Sequence, residues 1–126
     1  GRDWQIIGKI IKGKRRGKEI GYPTANIKLN HYVVPLKGVY LTETYLEGNK
    51  KKYLGIANIG NRPTFGEKKV IFENHFFDNK RIIYGKKIYT NLLGFLRQEK
   101  RFSSTEQLKK QIEIDIQAAK KFFKRK

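Results

Sequence analysis

The chain reads as mainly β: a closed barrel or sandwich of short antiparallel strands, followed by one C-terminal amphipathic helix. Three observations predict this. Runs of β-branched and aromatic residues fill the sequence up to about residue 100, broken by Gly, Asn, Asp and Pro every ten residues or so. A Ser-Ser-Thr-Glu signal at 103–106 then opens a stretch whose apolar residues recur at helical spacing. Finally, 126 residues with 38% hydrophobic and 13% aromatic content suffice for one core and not for two.

The elements follow in order. Ile6–Ile11 is the first candidate strand. Gly38–Leu46 is another, closed by the hairpin-type turn Glu47-Gly48-Asn49, with Lys52–Ile59 as its return strand. Val70–Phe77 comes next, ended by Asp78-Asn79-Lys80, and Lys86–Phe95 is the last, entered through Tyr84-Gly85. Ser103 to Glu106 has the capping-box pattern, a hydroxyl at the cap and Glu three residues on. Leu108, Ile112, Ile116, Ala119 and Phe123 line one face of a helix over about 103–123. Its cationic last turn suits the negative end of the helix dipole. With no repeat, linker or low-complexity boundary, residues 1–126 read as one domain.

The charge is +18, from 29 Lys and Arg against 11 Asp and Glu. Its first reading is a polyanionic partner, nucleic acid above all; a phosphate-bearing small ligand and a solvated lysine-rich surface are the others. The basic residues concentrate at Lys9–Lys18 and Lys120–Lys126. No apolar run reaches the roughly 20 residues of a membrane helix, and no charged-then-apolar leader is read at the N-terminus. The lack of cysteine excludes disulfides, thiolate zinc sites and cysteine nucleophiles, and fits a reducing cytoplasm. A start at Gly1-Arg2-Asp3-Trp4 without any Met leads us to expect a domain cut from a longer protein.

Several constellations could carry chemistry. Gly8 to Lys18 is a glycine-spaced basic loop leaving a strand, suited to backbone approach to phosphates or to an ordinary basic surface loop. It lacks the Gly-Lys-Ser/Thr of a Walker loop. In Gly21-Tyr22-Pro23-Thr24-Ala25-Asn26, Pro23 stiffens the segment. Thr24 and Asn26 then offer hard oxygen ligands suited to Mg²⁺, or simply cap a turn. Asn58 to Gly66 reads as a second rigid loop, rich in amides. In Phe72-Glu73-Asn74-His75-Phe76-Phe77, alternation puts Glu73 and His75 on one face with Ile71 and Phe77. Its setting among apolar side chains makes the Glu73 carboxylate a general-base candidate; a rim ion pair is the other reading. His75 reads as an orienting or packing residue, since the only other histidine, His31, is distant in sequence. Arg97, Glu99, Lys100, Arg101 and Phe102 link the last strand to the helix, where cations beside an aromatic ring could hold a phosphate and stack a ring. Phe102 could equally staple the helix start.

Order and spacing together say more than each piece. The chain resembles the riboflavin kinase (flavokinase) domain found at the C-terminal end of bacterial bifunctional riboflavin kinase/FMN adenylyltransferases. The likeness runs through Gly8-x-x-x-x-Gly13, Gly17-Lys18-x-x-Gly21-Tyr22-Pro23-Thr24-Ala25-Asn26, Gly38-Val39-Tyr40, Asn58-Ile59-Gly60 and Arg62-Pro63-Thr64-Phe65. It continues through Glu73-Asn74-His75, Tyr84-Gly85, Leu96-Arg97-x-Glu99-x-x-Phe102 and the helix with Asp115. The resemblance implies a six-stranded antiparallel Greek-key β-barrel with a C-terminal helix. It implies Mg²⁺-dependent transfer of phosphate from ATP to riboflavin, giving FMN and ADP, and an N-terminal FMN adenylyltransferase domain in the full-length protein. By position, Gly13 and Lys18 would belong to a flap over ATP, and Thr24 and Asn26 would meet Mg²⁺ and the nucleotide phosphates. Glu73 would be the base for the ribityl 5′-hydroxyl. Arg97 and Phe102 would lie on the flavin side, with Gly8, Pro23, Asn58, His75 and Glu99 in support. The family often has Arg at Lys18, Phe at Tyr22 and an acid at Ile82. The alternatives are a basic barrel binding single-stranded nucleic acid and a flavin-binding module without activity. Thr24, Asn26 and Glu73 weigh against both.

Overall fold

The computed structural model describes residues 4–11, 22, 24–29, 36–64, 67–78 and 85–124. Among the described residues, six strands and one helix follow in order: β1 (Trp4–Lys9), β2 (Ala25–Leu29), β3 (Gly38–Leu46), β4 (Lys52–Thr64), β5 (Glu67–Phe76), β6 (Lys87–Arg97) and α1 (Thr105–Lys124). They form one sheet in the order β1-β6-β3-β4-β5-β2, with every pair antiparallel. β3, β4 and β5 are a meander, and β6 returns past it to lie beside β3, a Greek-key connection. The two edge strands approach each other, and the Ile11 amide donates to the Asn26 carbonyl at 2.8 Å. Gly8 permits this approach: a Cβ there would stand 2.8 Å from Ile27 Cγ2. The result is a nearly closed barrel.

Period-two alternation gives each strand an inner and an outer face. Ile6, Ile10, Ala25, Ile27, Tyr40, Ala57, Ile59, Phe72, Phe76 and Ile88 fill the interior. A second cluster forms on the outside, where Val39, Leu41 and Ile56 of the barrel meet Ala119, Ile116, Phe122 and Phe123 of α1. The helix is amphipathic because it must cover this patch and nothing else. Its docking sets α1 against β4, with residue 99 of the preceding connection beside Asn58.

The structure corrects four expectations about elements. Ala25 and Asn26, expected at the end of a stiffened segment or turn at 21–26, open a strand, Ala25–Leu29, paired with β5, because Ala25 and Ile27 supply an inner face. Asn58–Thr64 is the second half of β4 and not a loop, held along its length by β5. β6 runs on to Arg97. The helix cap moves by one residue. Ser104 Oγ accepts from the Gln107 amide at 3.2 Å, and Gln107 Oε1 reaches back to the Ser103 amide and hydroxyl at 3.2 and 2.8 Å. Gln107 thus takes the place expected for Glu106, and the helix begins at Thr105. The hairpin turn at 47–48 is as expected, with Gly48 at φ 76°. Gly13, Lys18, Pro23, His31, Ile82 and Tyr84 lie outside the described residues.

Candidate active site

One row across the sheet collects the polar residues of interest. Asn26 stands opposite Glu73, Glu73 opposite Asn58, Asn58 opposite Val39, and Val39 opposite Arg97. Directly opposed residues on antiparallel strands share a face. Val39 belongs to the cluster under α1, so the row lies on the outside of the barrel. Glu73 faces out because its neighbours Phe72 and Asn74 are both completely buried inside. It is half-buried, with an amide on either side, so its immediate row is polar within an otherwise apolar face. Asn26 is buried, and its Nδ2 lies 3.4 Å from the Thr24 carbonyl oxygen.

The chain leaving β6 folds back over β4. Asn58 Nδ2 donates to Glu99 Oε2 at 2.9 Å. The same carboxylate sits on Gly60, where a Cβ would stand 2.1 Å from Glu99 Oε2. Gly60 pairs with Ile71, two residues from Glu73 on β5. The absence of a side chain at 60 is therefore what lets Glu99 lie beside Asn58.

Arg97 is fixed to the helix. Its Nε donates to both oxygens of Asp115, at 2.9 and 3.1 Å, and its second guanidinium nitrogen donates to Asp115 Oδ2 at 2.8 Å. Arg97 also donates to the Gln98 carbonyl at 2.8 Å, and Gln111 donates to Asp115 Oδ1 at 2.9 Å. The side chains of Arg97 and Asp115 are 18% and 4% exposed, so this is a bidentate, largely desolvated pair. Tyr22 ties the opposite flank to α1: its hydroxyl donates to Glu113 Oε1 at 3.2 Å, and its ring meets His75 edge-on at 5.6 Å. Burial, then the hydrogen bond donated to Glu113 and the charge of that carboxylate, push the Tyr22 phenol above its usual range. His75 packs between Tyr22 and Phe77. Phe102 is half-buried in the connection to α1.

Of the predicted residues, the structure brings Asn26, Glu73 and Asn58 into one row, with Thr24, His75 and Glu99 around it. Arg97 closes the far end of the row through Asp115. Gly8 belongs instead to the seam between β1 and β2. Sequence reasoning missed the roles of Gly60, Gln111, Glu113 and Asp115. Asp115 had a signal: it falls on the apolar face of α1, four residues before Ala119, where a carboxylate needs a partner. Among the described residues, no group of three or more His, Asp or Glu could enclose a metal ion.

The Flavokinase family, described as riboflavin kinase, matches residues 1–123. The chain belongs to the riboflavin kinase family, whose members are phosphate-transferring enzymes. The bifunctional riboflavin kinase/FMN adenylyltransferase of Haemophilus influenzae is 40% identical over 123 residues, which is 98% of this chain and 40% of that protein. The namesake protein of Bacillus subtilis is 39% identical over 127 residues, again 40% of its length. The chain thus spans about two fifths of the curated relatives it matches. A crystal structure of riboflavin kinase from Trypanosoma brucei shares the fold, with TM-score 0.66 and 23% identity over 98% of this chain and 82% of that one. Among the described residues, no helix is long and apolar enough to cross a membrane.

Proposed function

We propose that this chain transfers the γ-phosphoryl group of ATP to the 5′-hydroxyl of the ribityl chain of riboflavin, giving FMN and ADP. The observation that carries the reading is the Asn26–Glu73–Asn58 row in a chain of this family. A carboxylate between two amides on a rigid strand is a base held at a fixed place. Phosphoryl transfer needs positioning and charge neutralisation more than covalent chemistry from the protein.

In this reading Glu73 accepts the proton of the 5′-hydroxyl as its oxygen bonds to the γ-phosphorus and the bond to the bridging oxygen of ADP breaks. Thr24 and Asn26 face the nucleotide phosphates, with Gly13, Lys18 and Pro23, which lie outside the described residues, as further contacts of the same nucleotide. The Thr24 hydroxyl and the Asn26 amide oxygen are hard donors of the kind that suit Mg²⁺. That ion needs few protein ligands because it keeps waters and takes phosphate oxygens. Bound there, it would supply neutralisation of the charge on the β- and γ-phosphates. The guanidinium of Arg97 is engaged by Asp115, so its contribution on the flavin side is to place α1 and the 98–104 connection, where Phe102 offers a ring to the isoalloxazine. Asn58 and Glu99 form the wall beyond Glu73, and His75 backs Tyr22. We further propose that the native protein carries an FMN adenylyltransferase domain N-terminal to this one and works in the cytoplasm.

The test is incubation with riboflavin and Mg·ATP, followed by chromatography for FMN. We expect FMN from the wild type, and a loss of roughly 100-fold or more in kcat for Glu73→Gln with its thermal midpoint retained. A folded wild type that forms no FMN sinks the reading. A Glu73→Gln variant at the wild-type rate removes Glu73 as the base.

A further inference from the structure

Inside the barrel, on the strand that carries Glu73, lies a polar cluster the reaction does not use. Thr42 Oγ1 donates to Asn74 Oδ1 at 2.9 Å. Asn74 Nδ2 donates to Thr44 Oγ1 at 2.8 Å and lies 3.4 Å from Thr90 Oγ1. The Thr44 and Thr90 hydroxyls are 2.9 Å apart. All four residues are 0% exposed. The residues directly opposite Asn74 on the flanking strands are Ala25 and Ala57. These two small side chains leave Asn74 room to reach across the interior to β3 and β6.

Such a cluster adds little net stability, because each hydrogen bond replaces one made to water. What it adds is discrimination. The backbone ladder of β5 is equally good in any register, and its inner face offers Val70, Phe72 and Phe76, hydrocarbon that shifts cheaply from one position to another. Asn74 does not shift cheaply. A slip of one residue would carry it to the outer face and bring Glu73 into the core. A slip of two would set a Phe against the three threonines, leaving Thr44 and Thr90 only each other and stranding the Thr42 hydroxyl, at a cost of about 1–3 kcal/mol for a stranded group. Among the described residues, no buried side-chain polar atom lacks a partner in the observed register.

We infer that the Asn74–Thr42–Thr44–Thr90 network is a register lock that positions Glu73 between Asn26 and Asn58. The inference rests on the reading of Glu73 as the base. Asn74 is a positioning residue: it acts from the opposite face of the same strand and touches no substrate.

The test replaces the network with hydrocarbon of similar shape, as Thr42→Val, Thr44→Val and Thr90→Val with Asn74→Leu. Apolar replacement of a whole buried polar cluster is near neutral for stability. We expect a thermal midpoint near that of the wild type, a fall in kcat of about 10- to 100-fold that exceeds any rise in KM, and loss of the cross-strand nuclear Overhauser contacts of Glu73 with Asn26 and Asn58. Thr42→Ser, Thr44→Ser and Thr90→Ser together keep the hydroxyls and should keep kcat. Intact cross-strand contacts in the apolar variant overturn the lock, whatever the rate. Lost contacts with an unchanged kcat support the lock and remove Glu73 as the base. Should the fourfold variant not fold, Thr44→Val with Thr90→Val gives the same readouts. If neither folds, the cluster serves the whole barrel and the lock is overturned.

Discussion

Gly55 and Gly60 lie five residues apart on β4, and they should respond differently to the same substitution. A Cβ at Gly55 would stand 2.1 Å from the backbone oxygen of His75, which is held by the β4–β5 ladder and cannot move. A Cβ at Gly60 would meet only the end of the Glu99 side chain, which can. Gly60→Ala should therefore change the unfolding free energy by at most about 1 kcal/mol while displacing Glu99 from Asn58. The check is the Asn58 side-chain amide resonance, which loses its hydrogen-bonded shift. Gly55→Ala should lower the urea midpoint sharply. Alternation alone sets Glu73 on the strand face opposite Phe72 and Phe76, and the structure shows that this face is the outer one. The two amide neighbours of Glu73 were not legible in the sequence, since they come from β2 and from what the sequence presents as a loop. Register, not spacing, puts them there.

At the level of elements, the hold of α1 on the barrel is the feature most open to test. Its apolar face was visible from the spacing of Leu108, Ile112, Ile116, Ala119 and Phe123. The Arg97–Asp115 pair was not, because each partner looks like an ordinary charge until α1 is docked. Breaking a buried pair strands the surviving charge, so Asp115→Ala should cost about 3–5 kcal/mol in urea unfolding and loosen the 98–104 connection. The Tyr22–Glu113 bond makes a different prediction. The folded state raises the phenol above its ordinary value of 10.0, chiefly through burial and then through Glu113. The unfolded chain therefore gives up this proton first. The contribution is complete below pH 10 and is lost as pH rises through the raised value. Stability measured against pH should thus show an alkaline decline that Tyr22→Phe makes shallower.

For the whole molecule, +18 on 126 residues means self-repulsion in the compact state. Raising the ionic strength from about 0.01 to 0.15 M shortens the Debye length from roughly 30 to 8 Å, so the thermal midpoint should rise over that range. A midpoint that falls would mean that ion pairs outweigh the repulsion. The charge first suggested nucleic acid, and membership of the riboflavin kinase family gives that reading no support. The cations at the end of α1 suit its dipole.

The sequence by itself determined the β-rich class, the terminal helix with its buried face, the placing of Glu73 on the strand face opposite Phe72 and Phe76, and the family. All of these depend on local period, local turn chemistry or the linear order of motifs. Only the tertiary structure decided that Ala25–Leu29 is a strand, that β4 continues to Thr64, that Asn26 and Asn58 flank Glu73, and that Arg97 answers to Asp115. Each of these depends on which strands lie side by side and in what register. That is fixed by closing a barrel around one core, a constraint no single segment contains.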